Sequence, residues 1–145
     1  MNLSDLFFSF DGRISRQPYW LAFCVLVPAT LGAAMIAASV GGVRAVALVE
    51  LAFLYPELAV IVKRANDREM PSWIVLCYFL LSVLVSGLGL FGIGLEDAAG
   101  EPSVLYWTVL LPLLAVGLFI VVELGFRPGV SGPNRYGPDP LQGKT

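Results

Sequence analysis

Two carboxylates set in an otherwise apolar run, Glu50 and Glu57, are the residues best placed for chemistry. They lie seven residues apart, two helical turns, so a helix carries both on one face. An ionisable group inside a bilayer is costly and usually faces the bundle interior, where it marks an ion or proton pathway. Pro56 precedes Glu57 and removes a backbone donor, leaving one carbonyl without its helix partner. Glu57 is the strongest single candidate. The competing reading is a protonated or arginine-paired carboxyl that only locks helix packing.

The other chemical vocabulary sits in one short stretch, Lys63-Arg64-Ala65-Asn66-Asp67-Arg68-Glu69-Met70-Pro71-Ser72-Trp73, the densest charge in the chain. Arg13 and Arg16 precede the first apolar run, and Asn134, Tyr136 and Asp139 lie in the tail. Arg13, Arg16, Lys63, Arg64, Asn66, Asp67, Asn134, Tyr136 and Asp139 form the expected polar cluster, with the tail folded back over the end of the bundle. There is no histidine, which excludes His-based acid–base chemistry and HExxH zinc sites. Cys24 and Cys77 have neither a CxxC nor a metal-ligand spacing, and read as buried, reduced thiols. Ser72, Asp67 and Glu57 make no nucleophile–base pair of recognisable spacing. The expectation is no enzyme, no metal and no cofactor.

The elements that must position these residues follow from composition. Of 145 residues, 57% are hydrophobic and 14% charged, with a mean hydropathy of +0.79. Soluble domains carry about 25% charged residues, so the chain reads as an all-α integral membrane protein. A net charge of -2 gives a nucleic-acid partner no electrostatic support. No cleavable signal peptide is expected, because the first apolar run is long enough to remain as a span. About 20 residues at 1.5 Å each cross a ~30 Å hydrocarbon core. That rule predicts spans at 19–40, 45–62, 73–95 and 104–126 in a single domain of residues 1–145.

Leu3, Leu6, Phe7 and Phe10 fall on one helical face and predict a short interfacial helix over 3–10. Gly41-Gly42 predicts a turn, residues 63–72 a hinge, and residues 128–145 a turn-rich tail. Ala29, Ala33 and Ala37, with Gly32 beside them, offer a close-packing stripe. Tyr19, Trp20, Trp73 and Trp107 are placed for interfacial aromatic belts.

Eight of the nine lysines and arginines lie in the N-terminal segment, the hinge or the tail, and Arg44 stands alone on the other side. The positive-inside rule then predicts a multi-pass protein of the inner (plasma) membrane with both termini cytoplasmic.

Three motifs resemble one bacterial family in order and spacing. Phe10-Asp11-Gly12-Arg13-Ile14-Ser15-Arg16 with Tyr19-Trp20 is similar to the opening F-x-G-R-x-x-R-x-x-[YF]-W of domain-of-unknown-function family 805 (DUF805). The hinge resembles the family's R-R-L-H-D-x-G-x-S-G-W. The tail Asn134-Arg135-Tyr136-Gly137-Pro138-Asp139-Pro140 is similar to its N-x-Y-G-x-D-P ending. Here Asn66 stands for the family's histidine, Glu69 for its glycine and Pro71-Ser72 for its S-G. Asparagine hydrogen-bonds but does not titrate near neutral pH. The resemblance implies a four-helix inner-membrane protein with no assigned activity. The leading functional expectation is a structural or interaction module, docking a protein partner or anionic lipid headgroups at its cytoplasmic face. The alternative is a subunit of a small transporter or channel, using Glu57 in a proline-broken helix. The bilayer, a membrane-protein partner or a homo-oligomer are the expected partners.

Overall fold

The structure is a computed structural model and describes residues 2–93 and 103–142, apart from the Ser72 side chain. The expected end of the third span at 95 and the last three residues of the tail lie outside the described residues. Four helices follow in order: α1 Leu3–Phe8, α2 Arg16–Asp67, α3 Ser72–Phe91 and α4 Val104–Phe126. Among the described residues the only β feature is one isolated bridge, Asn134 to Gly137.

α2 is two rods. Gly42 lies at φ 60°, ψ -153°, a conformation that a residue with a Cβ avoids. A straight helix would hold Thr30 and Glu57 about 40 Å apart, yet Thr30 Oγ1 donates to Glu57 Oε1 at 3.1 Å. The chain therefore doubles back at Gly42, and residues 16–41 and 43–67 form antiparallel limbs. These limbs with α3 and α4 make four rods. α2 is the hub: it packs on α1, α3 and α4, and α3 also touches α4. By length and composition α2, α3 and α4 are each apolar and long enough to cross a membrane.

The α2 limbs end in the polar cluster. Helix continues through Lys63, Arg64, Ala65, Asn66 and Asp67, so the expected hinge at 63–72 shrinks to residues 68–71. α2 closes with a Schellman arrangement: Met70 N–H donates to Ala65 O at 3.0 Å and Glu69 N–H to Asn66 O at 3.3 Å. Met70 and Ala65 both enter the core, the apolar contact that accompanies this cap. The motif needs a left-handed residue, and Glu69 supplies it at φ 51°. The glycine that the family pattern carries at this position is thus explained by backbone geometry. Glu69→Gly should raise stability by about 1 kcal/mol. Thermal melting in detergent checks it, and an unchanged or lower midpoint would contradict the reading.

Several expectations are corrected. α1 stops at Phe8, not at 10, because Ser9 turns extended and its Oγ accepts Asp11 N–H. Pro56 does not break α2, whose only non-helical residue is Gly42; packing on the neighbouring rods carries the helix past the missing donor. Cys24 and Cys77 are exposed rather than buried. A Cβ added at Gly32 would meet nothing within 4 Å, so no rod of this chain packs on that part of the small-residue stripe. Tyr19 is 2% exposed and belongs to the core. Trp20 is turned inward too: its Nε1 donates to Gly125 O at 3.0 Å and its ring meets Phe126 edge-on. A belt role survives for Trp73 and Trp107, 65% and 49% exposed.

Candidate functional site

Among the described residues two polar regions stand out, one closing the end of the bundle and one between the rods. The closing cluster begins with four residues of the last α2 turn and one of the loop before α2. Arg64 is 0%, Lys63 2%, Asp67 3%, Asn66 6% and Arg13 9% exposed. Charges so buried must be paired and hydrogen-bonded, and here they are.

Asp67 lies between two guanidiniums. Its Oδ1 accepts from Arg13 Nε at 3.1 Å, and its Oδ2 pairs with Arg64 Nη1. The remaining donors go to backbone carbonyls. Arg64 Nε reaches Leu124 O at 2.7 Å, Nη2 reaches Arg127 O at 2.6 Å, and Nη1 also reaches Ile14 O at 3.4 Å. Lys63 Nζ donates to Asp5 O and, at 2.7 Å, to Leu6 O. Apart from Ile14 O, in the loop before α2, these carbonyls lie at the C-terminal ends of α4 and α1, where orphan acceptors and the helix dipole favour cations. Arg16 adds a bond to Phe126 O at 3.4 Å.

The same side chains hold the tail. Arg13 donates to Val130 O at 2.6 Å and to Gly132 O at 2.8 Å. Val130 N–H returns a bond to Asp67 O at 2.9 Å, and Asn134 Nδ2 donates to Asn66 O at 3.0 Å. Asn66 Nδ2 donates to Gly12 O at 3.2 Å, so this asparagine ties the N-terminal loop to the hinge. Tyr136 joins through its backbone N–H, on Asn134 Oδ1 at 2.9 Å. Asp139 shapes the tail, accepting from Leu141 N–H at 2.9 Å and Gly132 N–H at 2.8 Å, and its charge is felt by Arg13 and Asp67. Those two amides hold its carboxyl below the ordinary aspartate value. The carboxyl thus stays an ionised acceptor throughout the neutral range. Arg68, which the sequence reading counted only as hinge charge, bonds Glu123 at 2.7 Å and Pro128 O at 2.6 Å.

The second region is a cavity of about 310 Å³ between the rods. The second α2 limb brings Glu50 and Glu57 to its wall, and α3 and α4 bring Tyr78, Ser82, Ser86 and Tyr106. Ser86 Oγ donates to Glu50 Oε2 at 2.9 Å, as Thr30 does to Glu57. Each carboxylate therefore has one hydroxyl donor from a neighbouring rod. The sequence reading missed these hydroxyls. Their signal is the four-residue spacing of Tyr78, Ser82 and Ser86, which puts one polar stripe along α3.

Four rods, closed at one end by a buried ionic cluster and holding carboxylates between them, define a small all-helical protein whose helices α2, α3 and α4 are long and apolar enough to cross a membrane. The chain belongs to the family described as "Protein of unknown function (DUF805)", which matches residues 7–138. It is similar to "Uncharacterized protein YiiR" of Escherichia coli strain K12, at 26% identity over 96% of this chain and 90% of that protein. The YiiR protein of E. coli O157:H7 matches with the same identity and coverage. No solved structure matches the chain.

Proposed function

We propose that this chain is an integral protein of the bacterial inner membrane that binds and moves protons at Glu57. Both termini and the ionic cluster face the cytoplasm. The four rods supply the spans, each long enough for a ~30 Å core. Their outer faces expose Leu21, Val25, Met35, Leu80, Leu114 and Leu118, each 58% exposed or more. A soluble protein would not leave so much apolar surface uncovered. The distribution of lysine and arginine supports the orientation.

The observation that carries the function is the pair of carboxylates, each with a hydroxyl partner, on a cavity walled by apolar rods. A carboxylate at such depth is a functional group by default. The ligand chemistry favours a proton. Glu50 and Glu57 lie about 10 Å apart along their helix, too far to share one ion. One hydroxyl each falls short of the six or more oxygens of a hard divalent cation. Among the described residues no group of three or more His, Cys, Asp or Glu could hold a metal.

Docking of anionic headgroups finds less support. Arg13 and Arg64 spend their donors inside the protein, so replacing them would disturb the fold before any partner. A docking face would have to use the exposed Arg16, Arg127 and Arg135.

The test is proton flux into proteoliposomes holding a pH-sensitive dye, driven by a potassium diffusion potential. Wild type should exceed empty vesicles, and Glu57→Gln should lower its rate at least tenfold while eluting as the same monodisperse species. Equal rates for wild type, Glu57→Gln and empty vesicles would overturn the proposal.

A further inference from the structure

A second, smaller cavity lies on the cluster side of Glu57. It holds about 140 Å³ and is lined by Tyr19, Phe23, Val60, Gly117 and Ile120, among others. Only two residues line both this chamber and the larger one: Glu57 and Tyr78. The larger chamber extends toward Gly42, with Val43, Val46 and Ala47 on its wall, and the smaller toward the ionic cluster. We infer that Glu57 and Tyr78 are the partition between two stacked chambers, and that a proton crosses it only on the Glu57 carboxyl.

The inference rests on the proton reading above and adds the route. In the larger chamber the Glu57 carboxylate, oriented by Thr30, takes a proton from water. The carboxyl borders both chambers, so the neutral acid it forms need not leave the partition, and no bare charge crosses the apolar wall. In the smaller chamber it returns the proton to water and is again a carboxylate. A buried water needs two to four polar partners, and Tyr19, Tyr78 and Glu57 supply them there. Tyr78 is the barrier because it is the other residue whose side chain borders both chambers. Gly117 on α4 admits that ring: an added Cβ would lie 3.1 Å from Tyr78 Oη. A Cβ there would oblige the tyrosine to give by a few tenths of an ångström.

If Tyr78 is the barrier, shortening it joins the chambers, and water carries protons without Glu57. The experiment uses the full chain in the same proteoliposomes. Against Glu57→Gln alone, Glu57→Gln with Tyr78→Ala should recover flux at least tenfold. Glu57→Gln with Tyr78→Phe, which keeps the ring, should stay silent. If the alanine double variant is not monodisperse, Tyr78→Leu replaces it with the same expectation. A parallel infrared titration of detergent-solubilised protein follows the protonated-carboxyl band that Glu57→Gln removes. If wild-type flux and that band both depend on Glu57 but neither shortened variant recovers flux, the partition is wrong and the proton site stands. If wild type shows neither Glu57-dependent signal, both are wrong.

Discussion

Arg64→Lys is expected to lower the melting temperature of the solubilised protein by on the order of 10 °C, although the charge is kept. The reason is geometric. A guanidinium reaches Leu124 O, Arg127 O, Ile14 O and Asp67 from one fully buried position. An ammonium is a point donor on a narrower stem and cannot span that fork. Each buried carbonyl left unpaired costs about 1–3 kcal/mol, and two or three are lost together. Asp67→Asn attacks the same cluster from the acid side. It leaves Arg13 and Arg64 buried against a neutral amide, and breaking a buried pair costs about 3–5 kcal/mol. At about 2–4 °C per kcal/mol for a chain of this size, both variants should melt well below wild type in the same detergent. A midpoint for Arg64→Lys within 2 °C of wild type would show that the bonds its guanidinium makes contribute little.

Gly129→Ala should release the tail. A Cβ at this position would overlap the Asp67 carboxylate, with Cγ at 2.6 Å and Oδ1 at 2.9 Å. Asp67 has no room to yield, because Arg13 and Arg64 hold its two oxygens. Overpacking of this kind costs about 1–3 kcal/mol and sometimes more. The tail is the weaker side of the contact, so the strain is relieved by lifting it. The Val130 N–H bond to Asp67 O and the Arg13 bonds to Val130 O and Gly132 O go with it. Hydrogen exchange should show Val130 losing protection while Leu88 and Ile93 in α3's cap keep theirs. Ser131→Ala, at an exposed neighbour, should change neither. Retained protection at Val130 in Gly129→Ala would contradict the clash.

The rods were legible from sequence because their signal is local. Runs of apolar residues and the Gly41-Gly42 pair each speak for themselves. The cluster was legible as a set of residues, since the arginines, Asn66, Asp67 and Asn134 stand out against apolar neighbours. Their division of labour was not. Nothing in the spacing of Arg64 says that its donors end on α4 carbonyls some 60 residues away, which left it looking free for lipid. Tyr19 and Trp20 misled for a related reason. An aromatic pair at the head of a span satisfies the belt pattern whether it faces lipid or a neighbouring rod, and only the position of α4 decides. Pro56 was over-read, because a missing donor was taken to mean a broken helix. Glu57 was found for its charge, but its hydroxyl and ring partners come from other rods and carry only a faint period in α3.

Orientation is the premise on which proton movement and the inward-facing ionic cluster both stand. It is tested most directly in a variant with Cys24 and Cys77 replaced by alanine and one cysteine introduced at Arg44 or at Arg135. A membrane-impermeant maleimide is added to intact spheroplasts and to inside-out vesicles. The position-44 cysteine should react in spheroplasts only, and the position-135 cysteine in inverted vesicles only. Both reacting from one side, or the reverse pattern, would contradict the account.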